Sequence, residues 1–213
     1  MDLVRLLIIA HAALGGIALI SGSISMFSKK GSLLHKQTGK LFVGSMILSA
    51  AISIPVCFFP GHENMLLFSI AVFTIYCILS GQRALLFKPT NLLHLKLWKD
   101  WLISGVMFSF GIALMLEGAF KLLYPNGPTL LFYFFGILSL FFSIQDFLFF
   151  AKKNKPANEF IKRHIGLMSG AYTSSFTAFL LAGLQLKHWL VWIVPTVLIT
   201  IWIIYWMRKY SKT

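Results

Sequence analysis

The chain reads as an all-α polytopic membrane protein, a transmembrane helix bundle of seven spans with its N-terminus outside and its C-terminus in the cytoplasm. Three observations predict this. Of its 213 residues, 58% are hydrophobic and only 12% charged, against about 25% charged in soluble domains. The apolar residues gather in runs of the roughly 20 residues that a helix needs to cross a bilayer. The basic residues are confined to alternate connections, the asymmetry that sets orientation in a membrane.

The runs lie at 3–27, 38–59, 65–86, 101–124, 128–151, 162–184 and 188–207. They leave little chain for anything else, so one transmembrane domain over 1–213 is expected. The first run leads into small residues as a cleavable signal would. Its apolar part is nevertheless longer than the roughly 7–15 residues of a signal core, and Asp2 stands near Arg5, so it is read as a span. Tight turns follow the second and fourth runs, at FFPGHEN (58–64) and YPNGP (124–128), built on Pro, Gly and Asn. Every lysine and arginine except Arg5, Lys121 and Lys187 falls in or beside the connections on the opposite side, which is therefore cytoplasmic. The net charge of +13 thus reflects topology and attraction to anionic lipid, at about 1 kcal/mol per surface cation, and no nucleic acid is expected as a partner. Trp98, Trp101, Trp189, Trp192, Trp206 and Tyr210 lie at span ends, where aromatic residues anchor helices in the interface. Cys57 and Cys77 fall at different depths, which argues against a disulfide.

The sixth run, RHIGLMSGAYTSSFTAFLLAG (163–183), is the least apolar. On a helix Gly166, Gly170, Ser174, Ala178 and Ala182 form an i, i+4 ladder of small residues, the device by which helices approach closely in lipid. His11, Gly15, Ala18, Gly22 and Ser25 make a similar seam on the first run, placing His11 among packed helices. Ionisable groups within spans are costly and face the interior. Arg83, Asp146, Arg163 and His164, with His35, His94 and Asp100, lie toward the cytoplasmic side, and His11, Glu117, His62 and His188 toward the outer one. Asp146 requires a partner, with Arg83 and Arg163 the two candidates. The interval shared by His11–His35 and His164–His188 is expected to be coincidental, and no internal repeat of the transporter kind is expected.

The segments AHAALGGIALISGSISMFSKKGSLLHKQTGKLF and RHIGLMSGAYTSSFTAFL resemble a family of bacterial multi-span membrane proteins, the domain-of-unknown-function family 2306. The resemblance implies an integral protein of the bacterial cytoplasmic membrane and brings no chemistry with it. The residues it marks are His11, Gly15, Gly16, His35, Gly39, His164, Gly170 and Tyr172.

The sharpest function these residues suggest is binding of haem b, because imidazole ligates haem iron and small neighbours make room for the macrocycle. His11, His35 and His164 each have glycine within a turn or two. No single helix carries the paired histidines of familiar membrane cytochromes b. An alternative is a transporter or ligand-binding protein, with Arg83, Asp146, Arg163, Gln145, Tyr172, Thr173 and Ser174 lining a polar cavity. A metal site of His35, His94, His164 and Asp146 would suit zinc, although no H-E-x-x-H pairing supports it. No phosphate loop or nucleophile elbow is present, and the oligomeric state is not encoded in any motif.

Overall fold

A computed structural model of the chain describes residues 3–88, 96–123, 129–152, 158–186, 188 and 190–210. It is all helical: α1 (Leu3–Phe27), α2 (Leu33–Val56), α3 (Met65–Ala84), α4 (Trp98–Leu123), α5 (Thr129–Ala151), α6 (Glu159–Ala178) and α7 (Leu190–Lys209). Among the described residues α1 to α6 are long and apolar enough to cross a membrane, so the chain is a membrane protein.

The helix ends depart from the apolar runs where interfacial chemistry takes over. α2 begins at Leu33, five residues before the apolar run, because the Ser32 side chain accepts a hydrogen bond from His35 N and caps the helix. Its first turns carry His35, Lys36 and Lys40, so the helix starts in the headgroup region and not at the apolar edge. α6 likewise begins at Glu159, and it ends in a π turn over Phe179–Gly183. Gln185 follows with a φ of 56°, in the left-handed region that most side chains avoid.

The described helices form two compact units. One comprises α1, α2, α3 as far as Ile78, and α6 from Ile165 with α7; the other runs from Leu79 to His164. In the first unit α1 and α2 make the most extensive contact. A Cβ on Gly22 would come 2.8 Å from the Phe42 ring and 2.9 Å from that of Tyr172, so only glycine allows this approach. The C-terminal end of α1 is closed by Lys30, whose ammonium donates to the Met26 and Ser25 carbonyls and lies 5.5 Å and 5.3 Å from the Trp202 and Trp206 rings of α7. Partial burial there lowers its pKa from the ordinary lysine value.

In the second unit α4 and α5 pack through a seam that the sequence reading did not single out. A Cβ on Gly111 would lie 3.0 Å from Leu140 and Ser139, and one on Gly136 2.9 Å from Met115. Ser104, Ser139 and Ser143 are fully buried beside them. An aromatic cluster of Phe87, Phe149 and Phe150 closes one end of this unit.

Candidate functional site

Asp146 on α5 is 2% exposed. The Arg163 guanidinium pairs with its Oδ1, and the Ser104 hydroxyl donates to Oδ2 at 2.6 Å. Arg163 also lies 4.2 Å over the Phe149 ring, an apolar and cation–π contact. Of the two candidate partners, Arg163 is therefore the one used. Arg83 instead forms a two-pronged pair with Asp100, Nε to Oδ1 at 2.7 Å and Nη2 to Oδ2 at 2.5 Å. Asp100 and Ser104 are one turn apart on α4, so the two pairs belong to one polar chain with no net charge.

Two residues expected in this cluster lie elsewhere. Gln145 is exposed, because one residue of helix turns it about 100° from Asp146. Tyr172 belongs to the first unit, where its hydroxyl is 2.7 Å from Ser23 Oγ of α1 and its ring stacks on Phe176. Two positions of the α6 ladder pack on α3: Ser174 Oγ is 2.9 Å from Thr74 Oγ1, and Gly170 faces Cys77 at an ordinary contact distance. Gly166 faces Met207 of α7.

The histidines share one arrangement. The His11 ring, on α1, places Nδ1 2.9 Å from the Ser49 carbonyl of α2. A carbonyl only accepts, so Nδ1 carries a proton, and in the tautomer this bond selects the lone pair is on Nε2. Ser49 Oγ returns a hydrogen bond to the His11 carbonyl at 2.9 Å. His35 on α2 does the same with α1: its Nδ1 lies 2.9 Å from the Ser25 carbonyl, and Ser25 Oγ donates to the His35 carbonyl at 3.1 Å. His164 directs Nδ1 to the Gly81 carbonyl at 2.8 Å. His94 lies outside the described residues, and among those described no group of three or more His, Cys, Asp or Glu is arranged to hold a metal ion.

His11 lines a cavity of about 860 Å³ within the first unit, inside the range of roughly 300–1,000 Å³ typical of small-molecule sites. Its walls come from α1, α2, α3, α6, the π turn and the connection between α2 and α3. Gly16 is part of the wall, and a Cβ there would meet nothing within 4 Å. Ala178 and Ala182 continue the α6 ladder along the same wall. The ladder therefore has two uses, helix contact at one end and open space at the other. The polar residues of its lining include His11, Ser53, Thr74 and Ser175, and His62, Glu63, Asn64 and Gln185 in the connecting segments.

No protein-family model, curated protein or solved structure matches the chain.

Proposed function

We propose that this is a membrane redox protein that binds haem b, with His11, on the wall of the cavity, as the residue that would hold the iron. The observation that carries the reading is the common state of the three candidate histidines. Each donates Nδ1–H to a backbone carbonyl, the outer-shell bond that metal-ligating histidines almost always make. At His11 this orients the ring, retains Nε2 as a donor atom and adjoins a cavity of suitable size. Gly16 lines the same cavity, and a Cβ there would meet nothing within 4 Å. Bound there, haem would supply one-electron transfer. The chain's part is to ligate it, to hold the imidazole through Ser49 and to keep the site largely apolar.

Seven spans, α7 being the last, with the N-terminus outside and the C-terminus in the cytoplasm of a bacterial cell, belong to the same reading. The distribution of basic residues supports this orientation, as it supports anionic lipid at the cytoplasmic face. A small-solute or proton-linked transporter is the second reading, favoured by the polar atoms of the connecting segments at the cavity wall. It is weakened by the buried arginines and aspartates of the second unit, which already neutralise one another.

The test is an optical spectrum of the detergent-purified protein before and after dithionite. A Soret band that sharpens on reduction and is diminished in His11→Gly is the expected result. A flat spectrum from protein expressed with ample haem overturns the reading and leaves the cavity to an iron-free ligand.

A further inference from the structure

Two lysines converge on one indole where α1 ends. Lys30 Nζ lies 5.3 Å and Lys209 Nζ 4.9 Å from the centre of the Trp206 ring. Trp206 is the middle of an aromatic row on α7, with Trp202 and Tyr210 four residues to either side, so the three share a face of the helix. Tyr210 stacks on Trp206 at 6.1 Å, and Phe27 of α1 meets Trp202 edge-on at 5.5 Å. Two like charges held beside one ring repel, and ring faces and carbonyls return only partial charge.

No carboxylate of this unit offsets them. Its sequence holds two acids, Asp2 and Glu63, and neither belongs to this end: Asp2 precedes the start of α1 in the sequence, and Glu63 follows the end of α2. Lys30 gives two of its three N–H donors to the Ser25 and Met26 carbonyls, which leaves one. Its lowered pKa is what burial without a counter-charge produces. Trp206 Nε1 is a second, independent sign of a missing acceptor. It is buried and has no hydrogen-bond partner among the described residues, although a buried indole N–H ordinarily finds one.

The place is also one that lipid reaches. α1 is 25 residues long, about 37 Å of helical rise, and the hydrocarbon core is about 30 Å thick. The end of α1 therefore stands at the level of the headgroups. Phe27, 75% exposed, sets an apolar surface beside the two cations.

We infer that Lys30, Lys209 and the Trp206 N–H form a binding site for one anionic phospholipid, with its phosphate on the two ammoniums and the indole and an acyl chain along Phe27. The four-carbon stems of both lysines are flexible and can part to admit the phosphate to the indole. The site rests on the reading of anionic lipid at the cytoplasmic face and gives that attraction one location. It is independent of haem at His11.

The experiment titrates the full-length chain in detergent with phosphatidylglycerol, phosphatidylcholine or inorganic phosphate and counts bound lipid by native mass spectrometry, with far-UV circular dichroism as the check on folding. One phosphatidylglycerol per chain, bound in preference to phosphatidylcholine, is expected. Lys30→Gln with Lys209→Gln should weaken it about 30-fold, the value of two surface cations, and Trp206→Phe about 5-fold, the value of one hydrogen bond. Lys209 is exposed, so Lys209→Gln alone keeps the fold and should still weaken binding about 5-fold. Lys36→Gln with Lys40→Gln removes the same charge from α2 and should change binding by about 2-fold or less. Equal weakening by both lysine pairs overturns the site and leaves a diffuse attraction. Displacement of the lipid by millimolar inorganic phosphate overturns the lipid as occupant, and equal binding of phosphatidylcholine overturns the site and the anionic-lipid reading together.

Discussion

At Asp146 two donors converge on one carboxylate, Arg163 on one oxygen and Ser104 on the other. With the carboxylate 2% exposed, deleting either charge leaves the other buried without its opposite charge, at a cost of about 3 kcal/mol. Asp146→Asn and Arg163→Gln are each expected to lower stability in detergent by that order. The double variant should lose far less than the sum, because the second change relieves what the first leaves unpaired. Arg83→Gln, which touches Asp100 instead, should add nearly independently to Asp146→Asn. A double-mutant cycle by thermal unfolding distinguishes the two arginines, and equal coupling to both would contradict the pairing. Ser104→Ala should cost about 1.5 kcal/mol, the value of a hydrogen bond to a charged group. That Asp146 needed a cation was legible from its position inside an apolar run. Which cation was not, since helix rotation is absent from a one-dimensional sequence. A signal did exist: Arg83 and Asp100 are separated by the same interval as Asp146 and Arg163, with the order of charges reversed.

Among the helices, small residues have different roles at different positions. Gly22 permits contact with the Phe42 and Tyr172 rings, so Gly22→Ala is expected to destabilise by about 1–3 kcal/mol through overpacking. Gly44 is exposed on α2 and a Cβ there would meet nothing. Gly44→Ala should be neutral or stabilise by up to about 1 kcal/mol. Thermal melts of the two variants compare them directly, and similar losses would show that Gly22 is not a contact point. Gly16→Leu differs from both: it should fold normally and fill part of the cavity, so the Soret band is lost while helicity is retained. The ladders on α1 and α6 were legible because their spacing matches the helical period. The α4–α5 seam was overlooked although Ser104, Gly111 and Gly118 recur every seven residues, since large apolar residues surround them. The cavity was not legible at all, because it depends on where Ala178 and Ala182 find no opposing side chain.

For the whole molecule, orientation follows from the placement of cations. In a Cys57→Ser, Cys77→Ser background, Lys29→Cys should resist a membrane-impermeant maleimide added to intact cells and react after lysis. Glu63→Cys should react in intact cells. The opposite pattern would invert the topology and exchange the faces assigned to His11 and His35. The class of protein and most helix positions were legible from hydropathy alone. The likeness of His11, Gly15, Ser21 and Ser25 on α1 to His35, Gly39, Ser45 and Ser49 on α2, 24 positions on, escaped because only these four positions coincide, separated by unrelated residues. Their relation emerges only once His11 is seen facing Ser49 and His35 facing Ser25.

Each of α1 and α2 carries one histidine and one serine of the paired contacts, so the surface they share is self-complementary. It is the isologous interface of a two-fold dimer, written into a single polypeptide. Perturbations should accordingly come in mirrored pairs, Ser25→Ala with Ser49→Ala and Gly15→Ala with Gly39→Ala, each member reproducing its counterpart's effect at the other end of the hairpin.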